Sequence, residues 1–76
     1  MTVNWKERIE VNPQIMVGKP IIKGTRITVE FLLEILAQGW TMEKILKNYP
    51  QLKKEDIKAA LEYSINVLRL ENLYPI

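Results

Sequence analysis

Polar and apolar positions change their period once along this chain, near residue 28. Ahead of that point, short β-branched stretches at residues 8–11, 15–17 and 21–22 stand between turn signals at Asn12-Pro13, Gly18-Lys19-Pro20 and Gly24. That is the punctuation of brief strands. None is long enough to stand alone, so pairing is expected within the segment or across a dimer. From residue 28 to 38 the polar positions are Glu30, Glu34 and Gln38, a single narrow stripe on a helix. Val29, Phe31, Leu32, Leu33, Ile35, Leu36 and Ala37 make the rest of the circumference apolar. A helix with one buried face shows a broader polar side than this. The first helix is therefore expected to be covered on two sides, with Val29, Phe31, Leu32, Ile35 and Leu36 meeting a second subunit.

Gly39 supplies the left-handed stop common after a helix. Thr41 then reads as the N-cap of a second helix with Glu43 in its first turn. Met42, Ile45, Leu46 and Tyr49 give it one apolar side, and Pro50 ends it. Leu52 is expected to plug the angle before a third helix from about residue 54 to 69 or a little beyond. On that helix Ile57, Ala60, Leu61, Ser64, Ile65 and Leu68 define one, largely apolar face. Glu55, Lys58, Glu62, Asn66 and Arg69 define the opposite face. Ala59, Tyr63, Val67 and Leu70 widen the apolar side. The tail at residues 72–76 carries Leu73, Tyr74 and Ile76.

The predicted class is mainly α: a three-helix, helix-turn-helix bundle with short N-terminal β-strands. It forms one domain over residues 1–76, divided into a strand and turn segment (1–27), the helical unit (28–71) and the tail. Two short helices joined by a tight turn are the arrangement of a DNA reader, whose last helix enters the major groove. Lys53, Lys54 and Lys58 near that helix's start would contact DNA, with Lys44 and Lys47 touching the backbone. Mixed charge is also what any solvated helix displays, and Glu55, Asp56 and Glu62 would repel phosphate.

Composition narrows the alternatives. Seventy-six residues with no cysteine and no histidine exclude disulfides and the usual zinc sites, and a core this thin favours association with another chain. Net charge is only +2, but residues 1–29 hold Lys6, Arg8, Lys19, Lys23 and Arg26 against Glu7 and Glu10. Charges at residues 6–10 break up any signal-peptide apolar region, and no run is long enough to span a bilayer. A cytoplasmic location is the expectation. Catalysis is not expected: without histidine, Thr and Ser64 lack an activating base, and Glu30 with Glu34 has no third ligand for a metal. No cofactor or small-molecule substrate is indicated. Lys23-Gly24-Thr25 inverts the order a phosphate-binding P-loop needs. Trp40 is expected to cover the first helix, and Trp5 to anchor a partner.

The segment Gly18-Lys19-Pro20-Ile21-Ile22-Lys23-Gly24-Thr25-Arg26-Ile27 is more specific than any of these patterns. With Ala37-Gln38-Gly39, Tyr49-Pro50-Gln51-Leu52 and residues 56–63, it closely resembles the bacterial and archaeal domain of unknown function 433 family. The resemblance covers about residues 8–64. It implies a homeodomain-like helix-turn-helix protein, an antitoxin of the VapB type partnered with a PIN-like ribonuclease toxin. Two positions depart from the family's habit. Val17 stands where a glycine often precedes Gly18, implying a tighter or differently paired turn. Lys53 stands where a threonine or serine often caps the third helix, which removes the cap and sets a positive charge at a positive helix end.

Within this segment Lys19, Lys23 and Arg26 surround Thr25, a cluster suited to a phosphate, a carboxylate or a partner's acidic patch. In the plainer alternative, Thr25 caps the first helix and Arg26 pairs with Glu30 one turn on. The combined expectation is a homodimeric antitoxin that binds operator DNA and neutralises a PIN-like nuclease. Its rival is a protein-interaction module without DNA binding.

Overall fold

The computed structural model describes residues 4–71. Its elements run, after a 3-10 turn at Trp5–Glu7, as strand β1 (Ile9–Val11), strand β2 (Pro20–Ile22), and helices α1 (Val29–Ala37), α2 (Met42–Asn48) and α3 (Lys54–Glu71). The fold is thus mainly α with a short N-terminal sheet. The C-terminal tail lies outside the described residues.

β1 and β2 pair antiparallel within the chain, Ile9 opposite Ile22 and Val11 opposite Pro20. The far edge of β2 is also occupied, by a bridge from Ile21 to Thr28 and by the Ile22 N–H donating to the Ile27 carbonyl at 2.9 Å. Residues 15–17 form no strand. The Gln14 N–H donates to Asn12 Oδ1, and the chain turns into a left-handed loop in which Met16, Val17 and Gly18 have φ of 50°, 55° and 77°. The β-branched run is overridden by the turn chemistry on either side of it.

The helix boundaries follow their caps. Thr28 Oγ1 accepts from the Phe31 N–H at 2.9 Å, and Thr41 Oγ1 accepts from the Lys44 N–H at 3.0 Å, each satisfying one free donor of a first turn. α1 stops in a Schellman arrangement, with Trp40 N–H to the Ile35 carbonyl and Gly39 N–H to the Leu36 carbonyl, both 3.0 Å. Gly39 takes the required positive φ.

The core gathers Ile9, Ile22, Val29, Leu32, Ile35, Ile45, Leu52, Ile57, Ala59 and Ala60. Of the residues assigned by sequence to a dimer interface, Val29, Leu32 and Ile35 are buried here, and Phe31 and Leu36 pack half-buried against the same cluster. For Val29, Leu32 and Ile35 that assignment is corrected: α1 does need cover on two sides, and its own hairpin and helices bury these three. Phe31 also meets Tyr49 edge to face at 5.6 Å. Trp5 lies edge-on to Tyr63 at 5.1 Å, so it ties the N-terminus to α3 rather than standing free for a partner.

On α3 only part of the apolar face read from the sequence is buried. Asp56, Ile57, Ala59 and Ala60 are its buried residues, whereas Leu61, Ile65 and Leu68 are exposed. The helix buries this part because two alanines in succession let its backbone approach the core closely, and larger side chains there would hold it away.

Candidate functional site

Five lysines singled out by the sequence, Lys44, Lys47, Lys53, Lys54 and Lys58, are all exposed. Lys44 and Lys47 stand three residues apart on α2, and Lys54 and Lys58 four apart on α3, so each pair shares a helix face. A turn at residues 49–53 joins the two helices. It is closed by the Leu52 N–H on the Tyr49 carbonyl at 2.9 Å and pinned by buried Leu52. The Lys44 ammonium sits 4.3 Å from the centroid of the Trp40 indole, which holds that charge near the surface at the start of α2.

The start of α3 is not uncapped, as Lys53 had suggested. Asp56, in the third helical position, reaches back so that its Oδ2 accepts the Lys53 N–H at 2.8 Å. This is the returning half of a capping box. Its Oδ1 accepts from Arg8 Nη1 at 2.9 Å. Asp56 is only 7% exposed. Its carboxylate is thus turned inward, paired and hydrogen-bonded, as a buried charge requires. The sequence reading had counted it among the groups repelling phosphate. The structure removes it from that face, leaving Glu55 as the exposed acid among Lys53, Lys54 and Lys58. Neither Arg8 nor Asp56 had been singled out for this role. The available signal was an acid three residues after the expected cap position.

Two groups of the cationic loop have partners within the chain. Lys19 Nζ lies 3.1 Å from Glu30 Oε1, taking the partner expected for Arg26. Lys23 is exposed. Thr25 does not cap α1, since Thr28 holds that place. Its Oγ1 donates to the Ile22 carbonyl at 2.8 Å and accepts the Ile27 N–H at 3.0 Å, closing the loop from 22 to 27. Gly24, at φ 83°, supplies the left-handed residue of the same turn, whose Thr25 N–H meets the Ile22 carbonyl at 2.9 Å. Thr25 and Arg26 do line an open depression of about 600 Å³ with Glu10, Ile15, Gly24 and Gln51. Sequence reasoning missed Glu10 and Gln51 because the first comes from β1 and the second from the α2–α3 turn. Glu10 beside Arg26 makes the depression a mixed-charge surface.

Among the described residues no three acidic side chains gather as a metal site would need, and no helix is long and apolar enough to cross a membrane.

Comparison with known proteins places this geometry in a family. The model of a protein family described as "Protein of unknown function (DUF433)" matches residues 9–64. The chain is 32% identical over 59 residues to the uncharacterized protein y4eO of Sinorhizobium fredii, covering 78% of this chain and 27% of that one. It therefore spans about a quarter of that relative's length. A crystal structure of a DUF433 member protein from Anabaena variabilis superimposes with a TM-score of 0.75 at 33% identity, covering 86% of this chain and 65% of the other.

Proposed function

The chain belongs to the DUF433 family of proteins of unknown function, and on that premise we propose that it is a dimeric, non-catalytic DNA-binding regulator, the antitoxin of a toxin–antitoxin pair. α2 and α3 act as a helix-turn-helix unit. The start of α3 enters the major groove, where Lys53, Lys54 and Lys58 reach phosphates or guanine edges, and Lys44 and Lys47 hold the flanking backbone. One observation carries this reading: the inward turn of Asp56 onto Arg8 and the Lys53 N–H. It pairs one of the two acids in the first turn of α3 and caps the helix at the same time. The antitoxin role and a PIN-like ribonuclease partner rest on the family resemblance carried by residues 18–27.

Gel shifts test the DNA-binding part. The chain is expected to retard a duplex from its own promoter at moderate salt more strongly than a scrambled duplex of equal length. Equal affinity for both sinks operator recognition. Coexpression with a neighbouring PIN-like nuclease tests the other part, the expected result being a stable complex with suppressed ribonuclease activity.

A second reading, a module that binds protein and not DNA, is favoured by the exposed leucines of α3 and by Glu55 and Glu62 beside its lysines. Under it, Lys54→Ala and Lys58→Ala leave partner binding and promoter output unchanged.

A further inference from the structure

The fold covers only part of the apolar surface of α3. Ile57, Ala59 and Ala60 face the core. Leu61, Ile65 and Leu68, farther along the helix on a stripe that adjoins Ile57, stand 39%, 42% and 60% exposed. Their spacing of four and then three is that of a coiled-coil seam, with leucine at one core position and isoleucine at the other. An exposed leucine by itself is ordinary; three in line on one helix mark a surface that meets something. Traced toward the start of α3, the line passes through Lys58 and Lys54, so the solvent face changes from apolar to cationic halfway along. Beside Leu68 the stripe opens into a shallow groove of about 290 Å³ walled by Leu33, Tyr63 and Val67.

We infer that this stripe receives a second copy of the chain, α3 against α3, antiparallel about a two-fold axis. The inference rests on the dimeric part of the function proposed above and is independent of its DNA-binding part. Charge selects both the occupant and the direction. Glu62 and Arg69 are seven residues apart and so lie on one flank of the stripe. In an antiparallel pair that flank meets its own counterpart. Glu62 then faces the partner's Arg69, Arg69 faces the partner's Glu62, and Ile65 settles beside the partner's Leu68. Parallel pairing would set the same flank against the one carrying Ile57 and Ser64, leaving both charges unanswered. One register thus satisfies the two Ile65–Leu68 layers and both ion pairs, and it is closed by symmetry. The lysine-bearing ends of the two α3 helices then lie on the order of 30 Å apart at 1.5 Å per residue. Half-sites one DNA turn apart are about 34 Å from each other.

Sedimentation equilibrium of the full chain without DNA, from micromolar to near-millimolar, tests this. A dimer is expected. Ile65→Lys, at a position exposed enough to leave far-ultraviolet circular dichroism unchanged, should raise its dissociation constant ~100-fold or more by placing charge in an apolar layer. Glu62→Arg and Arg69→Glu should each weaken the dimer several-fold, and the double variant should return to within about threefold of wild type. A folded monomer at every concentration overturns the inference, whatever else covers the stripe. So does a dimer indifferent to Ile65→Lys, because it uses another surface. A double variant weaker than either single change overturns the antiparallel register. A monomer that still binds its promoter removes this inference and keeps the DNA reading; a dimer blind to DNA does the reverse.

Discussion

Val17 is the position where the backbone is most at odds with its residue type. It holds φ 55° and ψ 36°, inside the left-handed region that costs an L-residue about 1–2 kcal/mol, and β-branching places it toward the upper end. Nothing is recovered by burial, since the side chain is 92% exposed. Val17→Gly relieves the strain, while glycine's greater freedom in the unfolded chain takes back about 0.5–1 kcal/mol. The net expectation is a gain of about 1 kcal/mol. For a domain of this size that raises the thermal midpoint by about 4–8 °C. Calorimetry or thermal circular dichroism reads it, and urea titration should show a higher midpoint at unchanged slope. Gly24→Ala is the matched control. Its φ is +83° and an added Cβ would meet nothing within 4 Å, so a loss of about 1 kcal/mol there reports backbone strain net of the unfolded-state term, with no steric clash added. Should Val17→Gly lower the midpoint, the exposed valine stabilises the chain by some other route and the strain argument is wrong.

Other substitutions follow from the same contacts. Asp56→Ala removes an ion pair and a helix cap together and should destabilise by about 2–3 kcal/mol in urea denaturation. Asp56→Asn, which keeps an acceptor for the Lys53 N–H, should lose roughly half as much; equal losses would mean that the Arg8 pair alone matters. Thr25→Ala should cost about 1–2 kcal/mol through the two bonds that close the 22–27 loop, leaving promoter affinity within about twofold if that residue is structural only. Ile45→Ala, at a fully buried position, should lose about 2–5 kcal/mol, and a loss below 1 kcal/mol would mean that α2 is less firmly docked than described.

Caps and periods made much of the architecture legible before any coordinates. Thr28, Thr41 and Gly39 each stop or start a helix for a local reason, and the bonds they make are bonds to near neighbours. Less legible were the decisions made by distant residues. Asp56 reads as one more solvated acid until Arg8, 48 positions away, is folded against it. The covering of α1 looked like work for a second subunit because three short strands give no hint that two of them form a lid. On α3 the larger side chains at 61, 65 and 68 outweighed two alanines in any count of apolar residues. Small size wins in the folded chain because it permits close approach, which a hydropathy pattern does not register. Lys44, Lys47, Lys53, Lys54 and Lys58 are exposed as the sequence reading expects, whereas the inward turn of Asp56 onto Arg8 is something no local pattern signals. In the loop of Lys19, Lys23, Thr25 and Arg26, two of the four groups are already engaged within the chain. Spacing alone does not show that Glu30 takes Lys19 or that Thr25 spends its hydroxyl on closing the turn at Gly24.

The most direct test of the account is the salt dependence of promoter binding, by fluorescence anisotropy, for wild type and for Lys54→Ala/Lys58→Ala. Loss of two phosphate-neutralising lysines should weaken binding and flatten the slope of log affinity against log salt by about two. The same affinity and the same slope for both proteins would show that the start of α3 does not touch DNA.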